Sequence, residues 1–340
     1  MIKLKSASKR ISISGVKNTA PRLLITIGDA NGIGPEIILK MFNDKKFINE
    51  YNLKVVGSKY ILDYYAGIYN LDEIPKENII QINVPATFKV RIGEIDKVAG
   101  KHAGDAIKKA ATMCLKKEAD AMITMPISKE SFNLGGYDYP GHTEMVTEIS
   151  GSAQSAMILY SKKMIVALAT THIALDKVSK KIVKNKLIEK IILVNNSLVK
   201  DFKIQKPKIA VLGLNPHSGD GGLMGNEEKE VISPAVKEMK EAGFNISGPY
   251  PADGFFASKM YKQCDIVFAM YHDQGLIPFK MVAFEKGVNY TAGLNFFRTS
   301  PDHGTAFNIA GKGKADIQSS VCAVKLADTL VRNRTHDRIS

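Results

Sequence analysis

Three times in this chain a short apolar run breaks off into a polar turn that carries a histidine. Ile165–His172 reads IVALATTH, Ile209–His217 reads IAVLGLNPH, and Ile266–His272 reads IVFAMYH. Continuous apolar runs of this length, without polar alternation, suit strands covered on both faces, as in a parallel sheet flanked by helices. Further runs fit the same reading at Leu23–Ile27, Leu53–Gly57, Ile79–Asn83, Ala121–Thr124 and Ala156–Tyr160. Helical patterns separate several of them, over Gly104–Lys117, Lys177–Lys200, Glu227–Ala242 and Gly254–Gln263. Strands alternating with helices predict an α/β fold with a largely parallel sheet. At 340 residues, two domains are expected. No Gly/Ser tether appears, so strands are expected to cross the boundary between them.

In open α/β sheets, ligands bind beyond the carboxyl ends of the strands. His172, His217 and His272 are therefore candidates to meet on one rim, where three imidazoles with an open position suit a divalent metal, zinc especially. One histidine alone more often caps a strand end; three in equivalent positions favour ligation. Thr170, Thr171, Asn215, Asp273 and Gln274 stand beside them as possible acceptors for the imidazoles, although such residues also simply make turns.

Other segments are less specific. Gly28–Glu36 (GDANGIGPE) is a glycine-rich strand-to-helix turn, but it is neither G-x-G-x-x-G nor a Walker A loop. Pro140–Glu144 (PGHTE) opens a helix, so His142 and Thr143 either receive an anion or merely cap it. Lys280, Asn289 and Arg298 lie in turn-rich sequence after the third histidine, and Lys and Arg are the usual partners of phosphate and carboxylate. The stretch from Asp302 to Asp316 is dense in glycine and small residues, which lets a backbone approach a flat ligand.

The net charge of +13 raises the question of nucleic acid. Residues 1–22 contribute +6 and residues 176–208 contribute +7, so the rest of the chain is balanced. The second stretch reads as a helix with Ile182, Leu187, Ile191, Val194 and Leu198 inward and lysines in solvent, and no aromatic residues interleave with them. No nucleic-acid partner is expected. The basic start reads as a flexible tail over 1–20; it is acid-free like a transit peptide but has no clear amphipathic helix. No apolar run approaches the length of a membrane span, and three scattered cysteines suggest reduced thiols in the cytoplasm.

The motifs ITIGDANGIGPE, MPISKE, GHTE, ATTH, GLNPHSGDGG, GPYPAD, YHDQG, GVNYTAGLNFFRTS and DHGTA, with IAGKGKAD after it, occur in this order over roughly residues 22–330. The chain so resembles the 4-hydroxythreonine-4-phosphate dehydrogenase family of vitamin B6 biosynthesis. The resemblance implies NAD(P)-linked oxidation of 4-phosphooxy-L-threonine at C3, then decarboxylation to 3-amino-2-oxopropyl phosphate in the route to pyridoxal phosphate. Related enzymes that act on D-threonate or D-erythronate 4-phosphate are the alternative. It implies one divalent metal (Zn, Mg, Mn or Co) on His172, His217 and His272, and substrate contacts from His142, Thr143, Lys280, Asn289 and Arg298. His303, Gly304, Thr305 and Ala306 resemble an adenosine-binding loop, and would hold NAD or NADP without a Rossmann fingerprint. The implied fold is that of isocitrate and isopropylmalate dehydrogenases: two α/β/α domains, 21–128 plus 282–340 on the cofactor side and 129–281 on the metal and dimerisation side. The active site would lie in the interdomain cleft of a homodimer and be shared between subunits. The family motif often reads GDPAG where this chain has GDANG. No general base is evident; Asp273 and Lys129 are the candidates.

Overall fold

The computed structural model describes residues 20–336. The tail expected over 1–20 lies, but for Ala20, outside the described residues. Eleven strands follow in chain order: β1 (Arg22–Thr26), β2 (Asn52–Gly57), β3 (Ile79–Gln81), β4 (Ala121–Thr124), β5 (Ala156–Tyr160), β6 (Ile165–Leu168), β7 (Ile209–Leu212), β8 (Ile246–Tyr250), β9 (Ile266–Ala269), β10 (Val288–Ala292) and β11 (Phe297–Pro301). They form one sheet in the order β3-β2-β1-β4-β11-β10-β5-β6-β9-β7-β8.

Successive residues of a strand point to opposite faces, and here helices cover both. Leu23 and Ile25 pack with Ile37, Tyr65 and Leu330 on one face, while Leu24 and Met122 pack with Ile107, Phe132 and Val146 on the other. In the other half, Val166, Leu168 and Val267 meet Leu276 and Phe279, and Ala167, Val211 and Phe268 share a cluster with Ile191 and Val194. Each such fully buried aliphatic or aromatic side chain contributes roughly 1.5–3 kcal/mol relative to exposure.

The sheet is mixed and, as expected, largely parallel: seven of its ten strand pairings are parallel. β3, β2, β1, β4 and β11 run one way, and β6, β9, β7 and β8 run the other. β10 and β5 lie between the blocks, antiparallel to each other and to their outer neighbours. β8, β10 and β11 carry no sequence signal of the expected kind. β8 (ISGPY) holds Gly and Pro, which edge strands tolerate, and β11 (FRTSP) buries Arg298, Thr299 and Ser300.

Several helices differ from expectation. The expected Gly104–Lys117 helix begins earlier, spanning Lys97–Leu115, because Asp96 caps it by accepting from the N–H groups of Val98 and Ala99. The expected Lys177–Lys200 helix breaks at Ile182–Val183, where the chain is extended, and resumes as Lys184–Lys200. The expected Glu227–Ala242 helix opens with a π-turn at Glu228–Ile232 before Ser233–Glu241. Gly254–Gln263 divides into Ala252–Ala257 and a 3₁₀ turn, Met260–Gln263, across the left-handed Lys259. Among the described residues no helix is long and apolar enough to cross a membrane.

Candidate functional site

β6, β9 and β7 are neighbours and mutually parallel, so the three histidine loops leave the sheet at one rim. His172 and His272 meet there, ring centroids 5.7 Å apart. Nδ1 of His272 lies 2.6 Å from Oδ1 of Asp273. Nδ1 of His172 lies 3.9 Å from Oε1 of Glu144, and this contact holds the Glu144 carboxyl below its ordinary range. His217 does not complete the group. It sits exposed at the start of five successive residues with left-handed backbone, His217 to Gly221. Among the described residues no group of three or more His, Cys, Asp or Glu side chains stands close enough to share a metal ion. The expected convergence of three imidazoles is thus only two-thirds assembled within one chain. Thr170, Asn215 and Gln274 do not accept from the imidazoles either; they bond instead to neighbouring loops.

Arg298 is the centre of a second group. Its guanidinium is fully buried at the start of β11. Nε and Nη2 donate to Oγ1 of Thr124 at 3.0 and 2.7 Å, and Nη1 donates to Oγ1 of Thr143 at 3.1 Å and of Thr291 at 2.9 Å. Among the described residues no carboxylate forms an ion pair with it. Burial drags the guanidinium down to about 10, so it remains charged at neutral pH. The charge of Glu144 offsets only part of that burial; a buried charge without an ion-pair partner costs several kcal/mol, and an incoming anion lowers that cost.

His142 and Thr143 begin the helix His142–Ile149. Thr143 is not the N-cap; Gly141 is, without a side-chain cap, and the Thr143 hydroxyl faces Arg298. Nδ1 of His142 is enclosed and has no partner among the described residues. Burial, then the charges of Arg298 and Lys129, push its imidazole well below the ordinary value, so it is neutral. Oδ1 of Asn289, on β10, and Nε2 of His303 are also buried without partners among the described residues. Buried polar atoms are nearly always paired. Three of the few exceptions here fall on residues that sequence reading had already singled out for ligand contact.

Lys280 lies in the last turn of the helix His272–Ala283 and lowers the carboxyl of Asp302, which burial raises more strongly. In sequence Asp302 is part of a glycine-rich stretch; its burial beside the charge of Lys280 makes it the acid that sequence reading missed. Thr124, Thr291 and Glu144 were missed as well, Thr124 because it ends an apolar strand and Thr291 because β10 carries no signal of its own. Lys129 is exposed at the first position of the helix Lys129–Leu134, and Asp273 is exposed beside His272.

His303 to Ala306 form the loop after β11, packed against the glycine-rich turn before the helix Gly34–Asn43. The N–H of Ile33 donates to the carbonyl of Thr305 at 3.1 Å, and a Cβ on Gly32 would stand 3.1 Å from that same oxygen. Downstream, Glu36 is fully buried and accepts from Nζ of Lys40, the hydroxyl of Tyr69 and the N–H of Ala315. Lys40 also donates to the carbonyls of Gly313 and Ala315. The two glycine-rich segments are therefore one clamped unit.

A sequence profile described as pyridoxal phosphate biosynthetic protein PdxA matches residues 43–327. A 4-hydroxythreonine-4-phosphate dehydrogenase of Sulfurihydrogenibium sp. (strain YO3AOP1) is 44% identical over 323 residues, covering 92% of this chain and 99% of that protein. A protein of Oceanobacillus iheyensis, provisionally named a D-threonate 4-phosphate dehydrogenase, is 37% identical over 90% of this chain and 97% of its own length. The crystal structure of 4-hydroxythreonine-4-phosphate dehydrogenase from Klebsiella pneumoniae superposes with a TM-score of 0.81 at 35% identity, covering 93% of this chain and 99% of that one. An isocitrate dehydrogenase from Methylococcus capsulatus shares the fold, with a TM-score of 0.51 at 11% identity.

Proposed function

The chain belongs to the family of pyridoxal phosphate biosynthetic protein PdxA, and on that premise we propose that it is a metal-dependent, NAD(P)-linked dehydrogenase of 4-phosphooxy-L-threonine. The observation that carries this reading is the buried Arg298, without an ion pair among the described residues, near the unpartnered Nδ1 of His142. Such a pocket is built to receive an anion, and the substrate has two, a phosphate and a carboxylate. Arg298, Lys280, His142, Thr143 and Asn289 bind and orient it. The reaction transfers the C3 hydride to NAD(P)⁺ and releases the hydroxyl proton. The resulting β-keto acid loses CO₂ from its carboxylate, and protonation of the remaining enolate at carbon gives 3-amino-2-oxopropyl phosphate.

His172, His217 and His272 would hold the divalent ion. The donor set fits: two imidazoles already adjoin, and Asp273 on Nδ1 of His272 orients that ring for ligation through Nε2. A bound ion supplies the Lewis acidity that eases alcohol deprotonation. Asp302, buried and close to the charge of Lys280, joins Asp273 and Lys129 as a candidate to take the hydroxyl proton. The loop His303–Ala306, clamped against the turn around Gly32, receives the nicotinamide dinucleotide.

The site is shared between two copies of the chain. On the helix that begins at His272, Ile277 and Met281 are 59% and 83% exposed, and Phe284 just beyond its end is 74% exposed. This apolar stripe at i, i+4 and i+7 needs a cover, and a second copy would bring its own rim beside the incomplete histidine group. The sheet order supports the two-domain division. Strands from 21–128 and 282–340 occupy β3 to β10, strands from 129–281 occupy β5 to β8, and the β10–β5 pair joins them. Three free thiols fit a cytoplasmic setting.

The relative named for D-threonate 4-phosphate keeps that substrate as the alternative. The test is NADH formation from 4-phosphooxy-L-threonine, run beside D-threonate and D-erythronate 4-phosphates, with and without a chelator. Chelator-sensitive turnover favouring the threonine substrate is expected. Preference for a threonate moves the protein to the alternative, and no turnover on any of them with metal restored refutes the dehydrogenase reading.

A further inference from the structure

The three histidine loops are tied together by hydrogen bonds that the histidines themselves do not make. Thr170 donates its N–H and its hydroxyl to the carbonyl of Met270, at 3.2 and 2.7 Å. Gln274 accepts from the N–H of Met270 at 2.7 Å and donates to the carbonyl of Gly213, at the end of β7, at 2.6 Å. Asn215 places its Nδ2 between Oε2 of Glu227 and Oε2 of Glu228, at 2.8 and 2.9 Å. Glu227 accepts in turn from the hydroxyl of Ser179, in the short helix Val178–Lys181 that follows the His172 loop. The links run from the His172 loop through those of His272 and His217 and back to the chain just after His172. They close a ring.

Glu228 is the buried member, 4% exposed. Its Oε1 accepts from the N–H groups of Leu214 and Asn215, both at 2.7 Å. A buried carboxylate is tolerated only when donors replace its water, and here three N–H bonds do so. Glycines make the room: a Cβ on Gly213 or Gly219 would stand 3.0 or 2.7 Å from this carboxylate, and one on Gly225 2.5 Å from Nδ2 of Asn215. The residue sits in a π-turn, a distortion that concentrates at functional positions. The arrangement anchors the run of left-handed residues that begins at His217, a backbone that persists only where its surroundings over-determine it.

We propose that Asn215, gripped by Glu227 and Glu228, is a positioning residue that fixes the His217 loop relative to the His172 loop. The proposal deepens the metal-site reading and rests on it for its functional consequence. The clamp itself is a property of the metal-free chain.

Asn215→Asp turns the central donor into a carboxylate facing two others. In Asn215→Asp/Glu228→Gln, the new amide can donate to that carboxylate while its oxygen keeps the two backbone N–H groups. Amide hydrogen exchange on the full-length protein reads the clamp, and Co²⁺ titration followed by visible absorption reads the metal site. Asn215→Asp is expected to speed exchange at least tenfold in both 170–182 and 213–225, and to weaken Co²⁺ binding at least tenfold. The double variant should recover most of both. Faster exchange in 213–225 alone, or in neither segment, overturns the proposal. Should Asn215→Asp not fold, Ser179→Ala, at an exposed position, is expected to speed exchange at least threefold in 213–225, and no change there overturns it. A wild-type protein that takes up no Co²⁺ refutes the metal reading, and the exchange data then decide the clamp alone.

Discussion

Replacing Arg298 by methionine separates what the guanidinium does for the fold from what it does for a ligand. Holding it at about 10, well below the ordinary guanidinium range, corresponds to about 3 kcal/mol of unfavourable burial, which methionine removes. The same change discards four hydrogen bonds to Thr124, Thr143 and Thr291, each worth about 1 kcal/mol. The two terms nearly cancel, so urea denaturation should place the variant within about 2 kcal/mol of wild type. Anion binding has no such compensation. Losing a buried cation from a charge-assisted pair costs about 2–5 kcal/mol, so KM for the phosphorylated substrate should rise by a hundredfold or so. A variant destabilised by more than about 4 kcal/mol, with KM unchanged, would show that Arg298 is a structural tie and refute the anion-pocket argument.

Acid should weaken the fold through His102, which is buried within the helix Lys97–Leu115 and pushed down to about 4. The unfolded chain takes up this proton near 6.5 and the folded chain only near 4, so stability falls as pH drops through that window, by about 3 kcal/mol in all. His102→Leu should flatten this part of a denaturation-versus-pH curve; an unchanged slope assigns the loss elsewhere. Gly100→Ala in the same helix sets a methyl into the backbone carbonyl of Ser131, and should destabilise by about 3 kcal/mol or prevent folding, read by thermal melting. Met281→Glu with Phe284→Glu should convert a dimer into a monomer with little activity; a sedimentation mass that stays dimeric rules out this face as the interface.

Much of the fold was legible because a strand buried on both faces shows as an unbroken apolar run, and β1, β4, β5, β6, β7 and β9 have that form. β10 and β11 were not, since their burial is bought with polar bonds: Arg298 and Thr291 satisfy each other, and Thr299 donates to the carbonyl of Ala323. Propensity cannot anticipate partners so distant in sequence. The site shows the same division. The histidines stood out because each follows an apolar run, while Glu228 and Asp302 owe their interest wholly to what folds against them. The expected Lys177–Lys200 helix had the right inward residues, but periodicity could not register the break at Ile182–Val183, where Ile182 stays buried with the chain extended.

The position of β10 and β11 in the sheet bears on how the chain is made. Residues 156–269 supply β5 to β9 without help from later sequence, so that half can pair as it leaves the ribosome. β4 and β5, by contrast, acquire their remaining neighbours, β11 and β10, only when residues 288–301 emerge, after the other nine strands. Until then the nascent chain carries two open apolar edges, the kind of surface that draws chaperones and seeds mispairing between unfinished copies. A ribosome that stalls before residue 288 would therefore release a sticky half-sheet rather than a smaller folded protein.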